Sequence, residues 1–200
     1  MNATMPKRLG VLIATSAMAC AGLIATSAGA SAQANPGTAA TAATSVGPLN
    51  IGAAFTVINK GSGKCLDVKD QSLLPAAQVW QWTCNSTDPN KNWLLEPVAS
   101  APGYYALRNL RSNLCLDLRA GSEADVVNGT RTQQWDCVPD AISSERWQLK
   151  VSSAVPGYFT VVSAVKGMCL DLSGGSSADG AQVQVWDCLG PVNNQLWRQG

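Results

Sequence analysis

Three aspartates and three tryptophans stand at matching positions beside pairs of cysteines in this chain of 200 residues. Each aspartate follows one cysteine by two positions, and each tryptophan precedes a second cysteine by two positions. The matched pairs are Asp67 with Trp82, Asp117 with Trp135, and Asp171 with Trp186. A carboxylate accepts strong hydrogen bonds from hydroxyl groups, and an indole offers a broad apolar face. Such a pair is suited to binding a ring with hydroxyls at its edge and C–H groups on its face, as in a pyranose sugar.

The composition argues against several other kinds of chemistry. The chain has no histidine, which removes the commonest general base and excludes Ser-His-Asp and Cys-His mechanisms. Only 14% of the residues are charged and the formal net charge is +1, so no basic patch for nucleic acid or an anionic membrane is indicated. Zinc is disfavoured because no CxxC spacing occurs. We therefore expect no cofactor, no metal and no nucleic-acid partner.

The cysteine pattern belongs to an internal repeat of about fifty residues, which fixes the architecture before any local prediction. A further tryptophan follows each second cysteine, and an aromatic residue precedes each first cysteine by ten positions. The three copies span approximately residues 54–98, 104–151 and 158–198. Pro-Gly turn signals lie between them, at Pro102-Gly103 and Pro156-Gly157.

Each copy contains short runs rich in β-branched and aromatic residues, separated by Gly, Pro, Ser, Asn and Asp. In the first copy these runs are residues 55–58, 65–68, 78–82 and 93–95. Four strands in each copy predict twelve strands and an all-β fold, in which three lobes complete one closed barrel. The pattern also predicts six core residues: Leu66, Leu116, Leu170, Trp93, Trp147 and Trp197.

The cysteines indicate a disulfide in each copy. Six of the seven remain if an N-terminal leader carrying Cys20 is removed, and six cysteines allow 15 pairings. The repeat selects pairing within each copy: Cys65–Cys84, Cys115–Cys137 and Cys169–Cys188. If each bridge joins directly opposed residues of antiparallel strands, Asp67 lies opposite Trp82, and the other copies follow the same register. We therefore expect each bridge to place a carboxylate directly across from an indole.

The N-terminal residues predict export. Lys7 and Arg8 precede an apolar stretch over residues 9–25, and small-residue cleavage sites follow it. We expect a signal peptide over residues 1–32, a flexible linker or mature N-terminus over 33–53, and one domain over 54–200. A membrane anchor and lipidation at Cys20 are weaker alternatives. The protein is then secreted and extracellular, with no membrane span after signal removal.

Three motifs carry a resemblance to a known family. These are the triple Cys-Leu-Asp-Val/Leu, the Gln-x-Trp-Asp-Cys around Trp135 and Trp186, and the Asn-Gln-Leu-Trp ending at Trp197. They resemble the ricin-type β-trefoil lectins, including carbohydrate-binding modules of secreted actinobacterial proteins, and the resemblance covers residues 54–198. It implies a β-trefoil of three pseudo-threefold repeats with three shallow sugar sites. Each site would use the motif Asp, the aromatic residue before the second cysteine, and an Asn-Gln pair.

The resemblance makes the three sites unequal. The third copy carries the whole set: Asp171, Gln184, Trp186, Asn194 and Gln195. The first keeps Asp67, Trp82 and Asn90, with Trp80 and Lys91 in place of the two glutamines. The second keeps Asp117, Gln133 and Trp135, with Ser144-Glu145 in place of Asn-Gln. The expected order of importance is third, first, second.

The leading hypothesis is a secreted, non-catalytic lectin that acts as a monomer. Its expected partner is a carbohydrate, with galactose- or xylose-type units of a polysaccharide or glycan. A trefoil that binds a protein, such as a protease inhibitor, is the alternative. A glycoside hydrolase is least expected, because the three motif aspartates belong to different lobes and cannot flank one bond. The motif aspartates also have a purely structural interpretation, as acceptors for turn amides.

Overall fold

The computed structural model describes residues 49–200, and this part of the chain contains twelve strands and six single-turn 3-10 helices. The strands are β1 Phe55–Asn59, β2 Cys65–Val68, β3 Val79–Trp82, β4 Asn92–Pro97, β5 Tyr105–Asn109, β6 Cys115–Leu118, β7 Thr130–Trp135, β8 Trp147–Val151, β9 Phe159–Ser163, β10 Cys169–Leu172, β11 Val183–Trp186 and β12 Trp197–Gln199. The 3-10 helices are Lys69–Gln71, Pro89–Lys91, Glu123–Asp125, Ser143–Glu145, Ser173–Gly175 and Asn193–Gln195. The predicted count of four strands in each repeat is confirmed.

The predicted signal peptide and most of the predicted linker lie outside the described residues. Within residues 49–200, no helix has the length and apolar character needed to cross a bilayer. The first described residues contact the domain: Leu49 packs against the core, and the Gly52 amide donates to the Leu95 carbonyl at 3.3 Å.

Six strands close a barrel. β1 pairs with β4, β4 with β5, β5 with β8, β8 with β9, β9 with β12, and β12 with β1, always antiparallel. Closure leaves none of these strands with a free edge. The other six strands form three hairpins, β2–β3, β6–β7 and β10–β11, one from each repeat. Bridges between hairpins, such as Gln78 with Gln133 and Trp80 with Gln182, join them into a cap.

One tryptophan from each repeat links the barrel to its hairpin. Trp93, Trp147 and Trp197 are fully buried, as predicted. Each indole Nε1 donates to the carbonyl oxygen of the motif leucine, at 3.1 Å to Leu66, 3.0 Å to Leu116 and 3.1 Å to Leu170. The indole N–H is therefore satisfied inside the core, as a buried Trp requires. Because the next residue is the motif aspartate, this bond also fixes the aspartate relative to the barrel.

The three predicted disulfides are present, but the predicted register is wrong by two residues. In the first repeat Cys65 lies opposite Trp82 and Asp67 lies opposite Trp80, and the other repeats have the same register. The second cysteine lies two residues beyond the end of the strand, and the bridge still brings the two Cα atoms to 5.0 Å. A shift of two preserves the face to which each side chain points. The aspartate and tryptophan therefore share a face as diagonal neighbours, not as a directly opposed pair.

Candidate functional site

The third repeat brings together all five residues predicted for it. Asp171 on β10 lies opposite Gln184 on β11, whose Nε2 donates to Asp171 Oδ1 at 3.0 Å. Asn194 Nδ2 and Gln195 Nε2 donate to Asp171 Oδ2 at 2.5 and 3.1 Å. Burial raises the pKa of Asp171 above its usual value, although the three amides oppose this by stabilising the carboxylate. The result is a carboxylate of fixed orientation with 3% of its residue surface exposed.

Trp186 forms the exposed apolar surface of this site, with 37% of its surface exposed. A loop of the second repeat lies beside it. Asn128 Nδ2 donates to Asp187 Oδ2 at 2.8 Å, and the Asp187 amide donates back to Asn128 Oδ1 at 2.7 Å. Gly129 follows with a φ of 91°, and a side chain there would lie 3.9 Å from the Trp186 ring. The site thus takes one wall from a neighbouring repeat, a contribution that the repeat pattern alone did not indicate.

The first site has two tryptophans. Trp80 Nε1 donates to Asp67 Oδ2 at 3.0 Å, so this indole supplies the hydrogen bond that Gln184 supplies in the third site. The rings of Trp80 and Trp82 lie with centroids 5.2 Å apart and planes inclined by 32°. They line a cavity of about 220 Å³ together with Asp67, Asp70, Gln71 and Lys91. The substitution therefore keeps the donor and adds a second aromatic surface.

Lys91 places a buried cation behind the first site. Its Nζ lies 2.8 Å from Asp88 Oδ2 and 3.4 Å from Asp67 Oδ1. Asn90 also donates to Asp67 Oδ1 and to the Val68 carbonyl. Burial lowers the pKa of Lys91, but the bonds and charges of Asp88 and Asp67 outweigh burial, and the net pKa is raised. Burial raises the pKa of Asp67, whereas the hydrogen bond from Trp80 and the positive charge of Lys91 lower it, and the net pKa is raised.

We expect Lys91→Ala to lower the free energy of unfolding by roughly 3 kcal/mol, because it leaves the buried Asp67 without its counter-charge. Lys91→Gln should cost less, since an amide at this position can donate to the aspartate as Gln195 does in the third repeat. Urea unfolding of both variants measures the difference. Equal losses for alanine and glutamine would show that the Asp67 charge does not depend on a donor at position 91.

The second site keeps the Asp, Gln and Trp of the pattern but lacks the amide pair. Gln133 Nε2 donates to Asp117 Oδ2 at 2.7 Å, and Trp135 is 38% exposed. Asp117, Gln133 and Trp135 line a cavity of about 430 Å³, and Ser144 is also part of its lining. Glu145 occupies the place of Gln195 and is fully buried. This site has a surface like the others but a second carboxyl group behind its aspartate.

Comparison with known proteins supports the assignment of the fold. The family described as "Ricin-type beta-trefoil lectin domain-like" matches residues 45–135, 99–186 and 143–199. No curated protein matches the chain. Among solved structures, the designed threefold-symmetric protein ThreeFoil has a TM-score of 0.65 and 28% identity, covering 73% of this chain and 96% of its own.

Two natural structures show the same fold. The exo-beta-1,3-galactanase 1,3Gal43A from Clostridium thermocellum has a TM-score of 0.65 and 29% identity over 75% of this chain, which spans only 31% of that enzyme. The ricin B-like lectin from Macrolepiota procera, solved with lactose, has a TM-score of 0.60 and 18% identity, covering 76% of this chain and 96% of its own. Since the family matches together span residues 45–199, the chain belongs to the ricin-type β-trefoil lectin family.

Proposed function

We propose that the protein is a secreted lectin that binds sugar units through up to three Asp/Trp sites and catalyses no reaction. One observation carries the proposal: in each repeat an indole with 37 to 38% of its surface exposed shares a face with an aspartate held by side-chain donors. Membership of a lectin family supports carbohydrate binding as the general function.

In the third site, the sugar face would stack on Trp186 while its hydroxyls bond to Asp171 and Asn194. Gln195 is fully buried, so its role is to orient Asp171 and not to touch the ligand. Gln184 holds the other carboxylate oxygen and accepts from Gln182 Nε2 at 2.8 Å. A fixed carboxylate loses little conformational freedom on binding, which favours affinity at a shallow site.

Galactose-type units are our first candidate for the sugar and xylose-type units the second. The similarity to part of an exo-beta-1,3-galactanase, at 29% identity, supports the first. A single shallow contact would bind near the millimolar end of the affinity range. Useful affinity would then come from two or three sites on one protein binding one polymer, each adding to the effective concentration of the next.

The absence of catalysis is also part of the proposal. The motif carboxylates Asp67, Asp117 and Asp171 lie in three separate hairpins, whereas glycoside hydrolysis needs two carboxyl groups across one bond. Asp117 does have a carboxyl neighbour in Glu145, but Glu145 has no exposed surface with which to contact a sugar. Secretion is supported by the three disulfides, which persist in oxidising compartments.

Affinity electrophoresis through gels containing galactan, arabinogalactan or xylan tests the proposal. The mature protein should be retarded by at least one polymer. Asp171→Ala should weaken the retardation roughly tenfold or more, because a hydrogen bond to a charged group contributes about 1.5–3 kcal/mol. Asp117→Ala, its matched control in the weakest site, should have a smaller effect. Absence of retardation in every polymer, or equal behaviour of wild type and both variants, would contradict the proposal and favour a protein partner.

A further inference from the structure

One buried position differs in charge among the three repeats. It is the last residue of the 3-10 helix that precedes the fourth strand of each repeat, namely Lys91, Glu145 and Gln195. All three are buried beside the motif aspartate, with exposed fractions of 6%, 0% and 0%. A cation, an acid and a neutral amide therefore occupy equivalent places. The proposed sugar sites should differ in charge for this reason.

The neutral member of the set, Gln195, uses both ends of its side chain. Its Oε1 accepts from the Leu189 amide at 2.9 Å. Its Nε2 donates to Asp171 Oδ2 at 3.1 Å and to the Asp187 carbonyl at 3.0 Å. The amide therefore holds the loop after the second cysteine with one end and the motif aspartate with the other.

Glu145 reproduces only half of this arrangement. Its Oε2 accepts from the Val138 amide at 2.8 Å, as Gln195 Oε1 accepts from Leu189. Its Oε1 takes the place of the donating Gln195 Nε2 and is buried, with no hydrogen-bond partner among residues 49–200. Asp117 Oδ1 is buried in the same unsatisfied state. Orphaned buried acceptors are rare and costly. Because the equivalent Gln195 Nε2 lies 3.1 Å from Asp171 Oδ2, the correspondence between the repeats directs Glu145 Oε1 toward Asp117 Oδ1, and a proton on Glu145 would give both oxygens a partner.

We propose that Glu145 retains a proton which it donates to Asp117, and that the second site binds sugar only while this proton is in place. Glu145 is then a positioning residue that acts through Asp117, and its protonated form does the work of Gln195. The sugar-binding part rests on the function proposed above, whereas the shared proton does not. On this basis, the second site is a proton-dependent version of the third.

The groups around Glu145 favour the protonated form. The pKa of Glu145 is raised to about 7, chiefly by burial, and the negative charges of Asp117 and Asp136 contribute to the rise. The Val138 amide and the charge of Arg108 oppose it. Burial also raises the pKa of Asp117, against the hydrogen bond from Gln133 to its Oδ2 and the influence of the nearby Ser144 hydroxyl. Above neutral pH two adjacent carboxylates would repel each other, and Asp117 would lose its fixed orientation.

Glu145→Gln tests the shared proton without any ligand. Because the pKa of Glu145 is higher in the folded state than in the unfolded state, its stabilising proton is fully present below pH 4.5 and is lost as the pH rises through about 7. Wild type and Glu145→Gln should melt at similar temperatures at pH 5. At pH 8.5 the variant should melt roughly 5 °C higher, since its amide cannot lose the donor. An unchanged difference between pH 5 and pH 8.5 would overturn the proposal.

Gln195→Glu is the reciprocal variant, because it should create the same carboxyl pair in the third repeat. Its melting temperature should fall relative to wild type as the pH rises, by an amount similar to that recovered by Glu145→Gln. If either variant fails to fold, carbon-13 NMR of the wild-type glutamate carboxyls gives the answer directly, since the chain has only three glutamates. One of them should titrate near pH 7. If all three titrate in the usual range of a glutamate carboxyl, Glu145 does not retain the proposed proton.

Sugar binding is measured separately, in a Trp80→Gln/Trp82→Ala/Trp186→Ala protein, which has no indole left in the first or third site and keeps the second site intact. Retardation by the polymer that retards wild type should be stronger at pH 5.5 than at pH 8.5, by about tenfold, and Glu145→Gln should remove this difference. Equal retardation at the two pH values, with the melting result as expected, would overturn the sugar-gating step alone. Absence of retardation of the wild-type protein would instead refute the proposed function.

Discussion

Replacement of Trp186 by alanine is expected to weaken polysaccharide binding by roughly tenfold or more, while the free energy of unfolding falls by only about 1 kcal/mol. The indole is one of the large exposed apolar side chains, and its removal leaves no cavity in the core. Binding should fall because the sugar loses the apolar face on which it stacks, and 1.4 kcal/mol already corresponds to a factor of ten. Affinity electrophoresis and urea unfolding on the same preparation measure the two effects.

Trp197→Ala supplies the matched control, eleven residues further along the chain. Trp197 is fully buried and donates to the Leu170 carbonyl at 3.1 Å. Its removal should lower the free energy of unfolding by about 3–5 kcal/mol, the range for truncating a large aromatic side chain in a core. Any folded Trp197→Ala protein should retain more sugar binding than Trp186→Ala, because the hairpin β10–β11 and its amide contacts to Asp171 remain although the bond to Leu170 is lost.

The opposite pattern would contradict the division between these tryptophans. If Trp186→Ala unfolds the protein, or leaves binding unchanged, Trp186 is a structural residue and the third site does not bind sugar through its indole. The two variants remove the same side chain from one repeat, so a difference between them reports position alone.

The repeat made the fold predictable from the sequence. Three copies of one strand pattern specified twelve strands, three disulfides and the buried tryptophans, because a lobe of this size cannot bury its apolar face alone. The face shared by Asp171 and Trp186 was also predictable, since alternation along a strand depends only on sequence spacing. These features follow from the length of the repeat and from the alternation of side chains along a strand, and both can be read from the amino-acid sequence.

The register was not predictable from the same pattern. A disulfide restrains two Cα atoms to within a few ångströms, but it does not require both cysteines to lie in paired strands. In the first repeat the residues after β3 are held by another repeat: the Thr83 amide donates to Asp179 at 2.7 Å, and Asp179 also pairs with Lys64 at 2.8 Å. Contacts between repeats determine where this strand ends, and the spacing of the cysteines does not indicate them.

The charges behind the sites were visible as substitutions but not as interactions. Comparison of the copies places Lys91 and Glu145 where the third repeat has glutamine. Long charged side chains are normally exposed, so the sequence alone favours solvent-facing positions for both. Lys91 and Glu145 are instead buried beside the motif aspartates, where a charge must be paired or neutralised. The structure shows pairing for Lys91 and two unsatisfied oxygens for Glu145 with Asp117.

Removal of the third disulfide by Cys169→Ser with Cys188→Ser is expected to lower the free energy of unfolding by roughly 3 kcal/mol, the chain-entropy value for a loop of this length. The bridge closes a sequence separation of 19 residues, and Cys169 lies directly opposite Trp186. Loss of the bridge should therefore also loosen the end of β11 and weaken binding at the third site. Urea unfolding and affinity electrophoresis measure both effects.

The second disulfide provides the control, because its separation of 22 residues predicts nearly the same loss of stability from Cys115→Ser with Cys137→Ser. That variant should keep third-site binding, since its bridge lies in another hairpin. The contribution of the bridge to binding should be smaller than that of Trp186, because Asp171 is held by three amides that the disulfide does not touch. Equal losses of binding in the two double variants would show that the bridges act on global stability alone, and that the hairpin orients its indole without them.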